Sequence, residues 1–315
     1  MSTRESLVSI VMATYNGARF LREQLDSILG QSHSNVEIVV SDDGSNDGTV
    51  EILEEYAEKA SVRWYANGGT RGPTSNFGNA LSHARGEYVA FSDQDDVWKP
   101  RKIEVSVSRM RALERTHGPG TPILIYSDLE VVDEELGTIA PSLYEFLGRN
   151  PRLNTLSRIL AGNIVAGCST LSNRCLVEAA MPIPNQAIMH DAWFALVACA
   201  LGRLEFLDIP TSFYRQHQNN VLGAKKGAFG SKLIRMLSLK SSNARYRKSM
   251  IAPRYRQAQA LLERFDQTLT NENSRLIRAF LACEHQNFLA KRASILVNGF
   301  LRHSKMENLE LLIRI

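Results

Sequence analysis

The sequence predicts an α/β fold: a mostly parallel sheet flanked by helices, followed by a basic helical C-terminal extension. Three observations predict it. Through the first third of the chain, short apolar runs alternate with stretches of helical periodicity, the βαβα pattern of a parallel sheet. Polar segments rich in Asn, Asp and Gly follow those runs, where strand-end loops belong. With 315 residues, 44% hydrophobic and 22% charged, the chain can bury a sizeable core, so a disordered or collagen-like chain is excluded.

Residues 7–12, LVSIVM, form the first strand, and 18–29 place Phe20, Leu21, Leu25, Ile28 and Leu29 at helical spacing. VEIVVS (36–41) is the second strand. Asp47 and Gly48 then open a helix whose apolar side is Val50, Ile52, Leu53 and Tyr56. VRWYA (62–66) is the third strand, followed by the loop NGGTRGP and a helix over 74–84. EYVAFS (87–92) leads into DQDDVWKP and a helix over about 101–115, and ILIYSD (123–128) is a fifth strand. Beyond residue 129 the spacing loosens. It gives a helix near 153–160, a strand-like IVAGCSTL (164–171), an all-round apolar helix at 188–201, and two short closing strands, RLEFLDIP and SFYRQH. Past Gly223 the chain is polar and basic, with amphipathic stretches at 254–265 and 273–297. A boundary near residue 225 divides a domain 1–225 from a basic helical region 226–315. The first divides again into a regular half (1–128) and a looser half (129–225).

The formal net charge of +4 conceals a division. Residues 1–220 carry 19 Lys+Arg against 27 Asp+Glu, or −8, leaving 18 against 6, or +12, for 221–315. Such a tail suits nucleic acid, an anionic membrane surface or the acidic body of its own chain. The 4 cysteines (Cys168, Cys175, Cys199, Cys283) include no CxxC pair, which argues against a disulfide framework or cysteine zinc site and fits a reducing compartment. The N-terminal apolar run is too short for a signal peptide, and no apolar run reaches the roughly 18 residues a membrane span needs.

In open α/β sheets, ligands bind beyond the carboxyl ends of the strands. Here ATYNG (13–17), DDGSNDGT (42–49) and DQDD (93–96) follow the first, second and fourth strands. Each alone reads as a turn; three in register read as one crevice of hydroxyls, amides and carboxylates. Asp93, Asp95 and Asp96 would repel one another unless donors or a cation compensate. Mg²⁺ or Mn²⁺ does so, held by one or two carboxylates and a substrate's phosphates; a solvated cluster capping the next helix is the plainer alternative. His190 and Asp191 open the buried helix, a costly place for an ionisable pair, although a helix cap beside a core histidine would also account for them.

Taken together, ATYNG, SDDGSNDGT, FSDQDDVWKP and HDAW resemble the family 2 glycosyltransferases of the GT-A fold, over residues 5–220. FSDQDDVW with HDAW and YRQHQNN is most similar to the bacterial rhamnosyltransferase-like branch. The resemblance implies an inverting transferase taking a sugar, L-rhamnose or a related deoxysugar, from dTDP-L-rhamnose or a UDP-sugar to a glycan or lipid-linked saccharide. Thr14, Tyr15 and Asn16 would border the nucleotide. Asp42 or Asp43 would accept the pyrimidine N3 proton, which uracil and thymine carry and cytosine lacks. Asp93 and Asp95 match the outer acids of the family's DxD motif, which contact ribose and the metal-bound diphosphate; Gln94 stands between them, and Asp96 extends the motif. Arg71 and Asn76 are further donor contacts, with Arg71 equally readable as a surface residue. Asp191 matches the general base. His217 matches a late histidine that reaches the metal or diphosphate, or is structural. The acceptor would meet Asn163, Gly167, Cys168, Ser169 and His190, and Trp193 would stack on a sugar unless it is core. The resemblance also implies bacterial surface-polysaccharide synthesis in the cytoplasm, and the basic tail suggests attachment to the inner face of the plasma membrane, with no nucleic-acid partner. A nucleotidyltransferase acting on sugar phosphates would share the acids, although GGTRG is a weak phosphate loop placed after the wrong strand. A non-catalytic carbohydrate- or nucleotide-binding protein would share the basic tail.

Overall fold

The computed structural model describes residues 5–217 and 250–315. Among these, a nine-stranded sheet runs in the order β3-β2-β1-β4-β8-β6-β9-β5, with β7 paired to β6. The first four ordered strands are β1 (Val8–Thr14), β2 (Val36–Asp42), β3 (Val62–Ala66) and β4 (Tyr88–Ser92), all pairing in parallel. They alternate with α1 (Ala18–Leu29), α2 (Thr49–Lys59) and α3 (Pro73–Ser82), and α4 (Lys102–His117) follows. Alternation on β1 explains the layering. Ile10 and Met12 join Leu21, Leu25, Ile28, Ile103 and Met110 in one cluster, while Val11 joins Phe77, Ala80 and Trp193 in another. Each such fully buried aliphatic side chain contributes about 1.5–3 kcal/mol.

The second half is less regular than its spacing suggested. β6 (Ile123–Val132) pairs antiparallel with β8 (Thr170–Asn173), which also pairs antiparallel with β4. IVAGCSTL is therefore not one strand: a loop and a 3-10 turn at Gly167–Ser169 precede β8, because Gly167 packs against His190 and Asp191 rather than extending the sheet. The two expected closing strands are one, β9 (Arg203–Arg215), parallel to β6 with register shifts around Asp128 where Pro210 enters the ladder. β5 (Val97–Trp98) pairs with Phe213 and Ser212 of β9, and β7 (Thr138–Ala140) with β6; both are too short to carry a two-residue period. The helices here are α5 (Leu143–Leu147), α6 (Leu156–Ala161), α7 (Arg174–Ala180) and α8 (His190–Leu201).

The stretch 273–297 is two helices, not one. α9 (Ala252–Phe265) leads to α10 (Asn271–Ala282), then α11 (Phe288–Asn298), whose Asn287 cap accepts from the Ala290 N–H, and α12 (Lys305–Arg314). Side-chain capping by Asn287 starts a new helix where periodicity alone runs on. The apolar faces of α9 and α10 turn inward: Tyr255, Ala258, Leu261, Ile277 and Phe280 share one buried cluster with α6 and α8. The expected boundary near 225 falls outside the described residues. No helix of the described residues is long and apolar enough to cross a membrane.

Candidate active site

Parallel β1, β2 and β4 deliver their following loops to the same sheet end, and side chains lace those loops together. Thr14 Oγ1 donates to Asp42 Oδ2 (2.8 Å). Asp42 also accepts from the Gly44 and Ser45 N–H groups and the Ser45 hydroxyl. Its lone pairs are spent on the turn, and both Thr14 and Asp42 are buried, so neither side chain meets a nucleotide as expected. Asp43 differs. It keeps 9% exposure, and each of its oxygens accepts one bond, from Asn67 Nδ2 (2.9 Å) and from the Gly72 N–H (2.7 Å). Of the two aspartates, Asp43 retains acceptor capacity for a base.

Tyr15 is 52% exposed, and Asn16 is exposed in the left-handed region (φ 48), tied by its Oδ1 to the Asn46 N–H. Gln94 reaches across from the fourth strand's loop: its Oε1 accepts from the Tyr15 N–H (2.9 Å) and its Nε2 donates to the Tyr15 carbonyl (3.1 Å). Gln94 thus buckles two loops together. Gly17 permits this, since a Cβ there would lie 2.3 Å from Gln94 Oε1. Asn76, expected at the donor, is buried with Nδ2 donating to the Thr14 carbonyl (3.0 Å), and so supports the loop from beneath. Arg71 is exposed and lies across Gly44, with Nη2 3.1 Å from that residue's Cβ position.

The acids separate by depth. Asp96 is buried, accepting from the Arg215 N–H (3.2 Å), and its ring of neighbours includes Cys168 and Lys102. One ligand atom each of Asp93, Asp96 and Cys168 lies within 4.8 Å of the others. Lys102, also buried, donates to the Cys168 carbonyl and to Ser212 Oγ (2.8 Å) and sits 4.0 Å over the Trp98 ring. Burial pulls its ammonium down, while Cys168, Asp96 and Asp93 hold it up. Lys102 therefore compensates the inner acids from within. Asp93 is recessed; burial, then Asp95 and Asp191, raise its carboxyl to about 7. Asp95 lies outward, with Oδ2 2.7 Å from His217 Nε2, and the His217 ring packs on Phe20 at 5.0 Å. The carboxylates of Asp93 and Asp95 suit Mg²⁺ or Mn²⁺, which prefer oxygen ligands, and the His217 nitrogen lies beside Asp95.

Arg215, buried at the end of β9, fixes this loop: Nε donates to the Asp95 carbonyl (2.9 Å), and its other nitrogens reach the Glu134 carbonyl and the Glu23 carboxylate. Neither Lys102 nor Arg215 was singled out from sequence. Arg215 stands inside the quoted YRQH segment; Lys102 carries no local signal.

At the start of α8, Asp191 Oδ1 accepts from the Ala192 N–H (2.6 Å) and Oδ2 from Asn163 Nδ2 (3.3 Å). Burial lifts its carboxyl to about 6, against the opposing effect of the Ala192, Asn163 and Gly167 donors. Gly167 must remain small: a Cβ would lie 2.9 Å from His190 Nε2 and 3.4 Å from Asp191 Cβ. Four residues expected at the acceptor are buried. His190 stacks on Phe77 (3.8 Å) and meets Phe91 edge-on (4.8 Å), and burial lowers its pKa to about 3, so it is a neutral core residue. Trp193 is fully buried, its Nε1 donating to the Ala180 carbonyl (2.8 Å), and offers no face to a sugar. Cys168 and Ser169 are buried as well, the former beside the inner acids, where burial raises its thiol pKa.

Parallel strands feeding carboxylate loops on one side, a mixed half carrying a buried-edge aspartate on the other, and helices on both faces define the GT-A fold. Residues 9–128, somewhat over a third of the chain, match the family model for glycosyl transferase family 2. Over 126 residues it is 35% identical to the putative glycosyltransferase EpsE of Bacillus subtilis, covering 39% of this chain and 45% of that one. It is 35% identical over 113 residues to the putative teichuronic acid biosynthesis glycosyltransferase TuaG of the same organism, covering 35% of this chain and 44% of that one. The chain thus spans less than half the length of these curated relatives. Among solved structures, S. aureus TarS 1–349 in complex with UDP-GlcNAc shares the fold at a TM-score of 0.53 and 19% identity, covering 92% of this chain and 88% of that one. The mannosyltransferase PcManGT of Pyrobaculum calidifontis, in complex with GDP-Man and Mn²⁺, does so at 0.51 and 19%, covering 94% and 87%.

Proposed function

We propose that this chain is an inverting glycosyltransferase that moves a sugar from a nucleoside diphosphate donor to a glycan or lipid-linked saccharide in bacterial surface-polysaccharide synthesis. The observation that carries the reading is convergence: ligand atoms of Asp93, Asp96 and Cys168 lie within 4.8 Å of one another, and Gly167, the residue before Cys168, packs against Asp191 from the other half of the sheet. Asp43 would accept the base's N3 proton, and Tyr15 and Asn16 would border the nucleotide. Asp93 and Asp95 would face ribose and diphosphate, Asp95 with His217 and Asp93 holding a divalent ion. When bound, that ion offsets charge on the departing diphosphate, an effect worth several kcal/mol.

Asp191 would take the proton of the acceptor hydroxyl as its oxygen attacks the anomeric carbon. The new C–O bond forms opposite the breaking bond to the diphosphate oxygen, which leaves with the electron pair, so configuration inverts. A carboxylate with pKa near 6 is deprotonated at neutral pH yet basic enough to assist, a contribution typically of 10²- to 10⁴-fold. Asn163 and the Gly167 backbone hold that carboxylate, and Gly167 leaves room beside it.

Likeness to the rhamnosyltransferase-like branch favours dTDP-L-rhamnose, and a UDP-sugar satisfies the same base contact. A thermal-shift screen of dTDP-L-rhamnose, UDP-GlcNAc and GDP-mannose with and without Mn²⁺, followed by product analysis, tests the reading. Metal-dependent stabilisation and free nucleoside diphosphate are expected; pyrophosphate would indicate nucleotidyl transfer instead, and no product a binding protein.

Attachment to an anionic membrane surface at the cytoplasmic face is part of the same reading, through α11 rather than the stretches at 254–265. Its outer face exposes Phe288, Leu289 (75%), Leu296 and Val297 (84%), and the helix carries Lys291 and Arg292 with no acid. That combination suits in-plane binding at a lipid interface. Flotation with vesicles of 30% anionic lipid should recover wild type and leave Leu289→Glu/Val297→Glu in solution. Equal recovery of both would refute it.

A further inference from the structure

We propose that the C-terminal helices clamp Asp191 in its working position, with Gln257 and His303 as the positioning residues. The proposal rests on the reading of Asp191 as the base and adds a role for a region that lies outside the matched family domain.

Asp191 stands in the first turn of α8, so its carboxylate goes where that helix end goes. The backbone just before the helix is tied to the C-terminal region: the Ile188 N–H donates to Oε1 of buried Gln257 on α9 (2.9 Å). Further upstream, Arg264 on α9 donates to the carbonyls of Ala180 (3.2 Å) and Pro182 (2.7 Å) and lies 5.3 Å over the Trp193 ring. The far end of α8 is tied as well, Asn273 Nδ2 donating to the Ala200 carbonyl (2.8 Å).

The side chain that holds the carboxylate is fixed from the same region. Asn163 is locked by reciprocal bonds to Val165 (2.9 and 3.0 Å), and the preceding carbonyl, of Gly162, meets Nε2 of buried His303 at 2.7 Å. The Nδ1 side of His303 faces the Leu153 carbonyl (3.0 Å), and the His303 carbonyl accepts from the Asn150 N–H (3.0 Å). Arg158 Nη1 donates to the Arg302 carbonyl (2.6 Å), closing the contact.

A lid that only covered apolar surface needs no polar contacts on the two segments that meet at Asp191. The His303–Gly162 contact is buried and the Gln257–Ile188 contact part-buried, so removing either side chain takes a polar partner from the backbone and loosens the segment it holds. A shift of about 1 Å at a reacting group can cost on the order of 10²-fold in rate.

The test uses the full chain with Gln257→Leu, His303→Ala, Asp191→Asn and Phe280→Leu. The last is a core substitution beside Tyr255 and Phe300 that removes no hydrogen bond to either tied segment and controls for lost stability. Two readouts are taken: nucleoside diphosphate release from whichever of dTDP-L-rhamnose and UDP-GlcNAc the wild type turns over, and the titration of the Asp191 carboxyl by ¹³C NMR. The ionisable groups near that carboxyl are Asp93, across the cleft, and His190, which stays neutral; every variant keeps both.

Gln257→Leu and His303→Ala should lower kcat about tenfold or more per folded molecule at unchanged donor KM. His303→Ala should also move the Asp191 titration upward from about 6, because the Asn163 bond that favours the carboxylate is loosened. Phe280→Leu should lower Tm and leave both readouts in place. Unchanged kcat with an unmoved titration in both clamp variants would overturn the proposal. Full turnover by Asp191→Asn, or none by the wild type, would instead overturn the reading of Asp191 as the base, while the NMR titration still decides the clamp.

Discussion

The two sides of the cleft are built by different means. On the donor side, the loops after β1, β2 and β4 hold one another through exchanges that stay within the parallel half, such as Gln94 with Tyr15 and Asp42 with Gly44 and Ser45. On the base side, Asp191 is held by Asn163, and the segments carrying both are braced by residues of the C-terminal region, Gln257 and His303. On the proposed function, the difference makes nucleotide binding and proton removal separable properties: the first would be set by the parallel half, the second would depend on the C-terminal region.

The comparison sharpens most where a donor-side acid is removed. Asp95→Ala loses the outer carboxylate of the proposed metal site, so isothermal titration should show Mn²⁺-dependent donor binding abolished. Turnover should fall by on the order of 10³-fold, several kcal/mol at 1.4 kcal/mol per decade. Unchanged donor affinity in the presence of Mn²⁺ would break the donor side of the comparison.

On the base side, Trp193→Ala should cost about 3–5 kcal/mol of stability, read by chemical denaturation, because a fully buried indole and its bond to Ala180 are lost. Donor KM of the molecules that remain folded should not change, since Trp193 offers no face to the cleft.

On the proposed reading of Asp191 as the base, the acid side of the pH–rate profile would come from this carboxyl. Burial raises its pKa to about 6, so it is an active base above that value and a protonated carboxyl below it. The log of kcat should therefore fall toward a slope of one per pH unit below about pH 6. Asn163→Ala should push that limb to higher pH, because a donor favouring the carboxylate is removed.

The smallest effect belongs to the buckle between loops. Gln94→Ala removes two hydrogen bonds to the Tyr15 backbone, worth about 1 kcal/mol each, and should raise donor KM severalfold with kcat nearly unchanged.

The parallel half was legible in the sequence because its signals are local. Strands β1 to β4 coincide with apolar runs, and α1 spans 18–29 as its periodicity requires. The candidate carboxylates follow strand ends, where a turn motif can be seen without a partner. Roles within those loops were less legible, since whether Asp42 or Asp43 remains open depends on which accepts from Gly44, Ser45, Asn67 and Gly72. Burial depends on the whole chain, so His190, Trp193 and Cys168 looked available and are not. Arg215 acts on the acidic loop from a distant strand and Lys102 from the start of the helix that follows it, and Gln257 and His303 brace segments lying far from them in sequence, contacts that no local pattern announces.

The most direct measurement is a side-by-side determination of donor Kd and kcat for wild type and Asp191→Asn in the presence of Mn²⁺. Donor affinity within about twofold of wild type with turnover reduced by 10²-fold or more is the predicted result. Turnover close to wild type would contradict the account, because the carboxylate opposite the acidic loops would then take no proton.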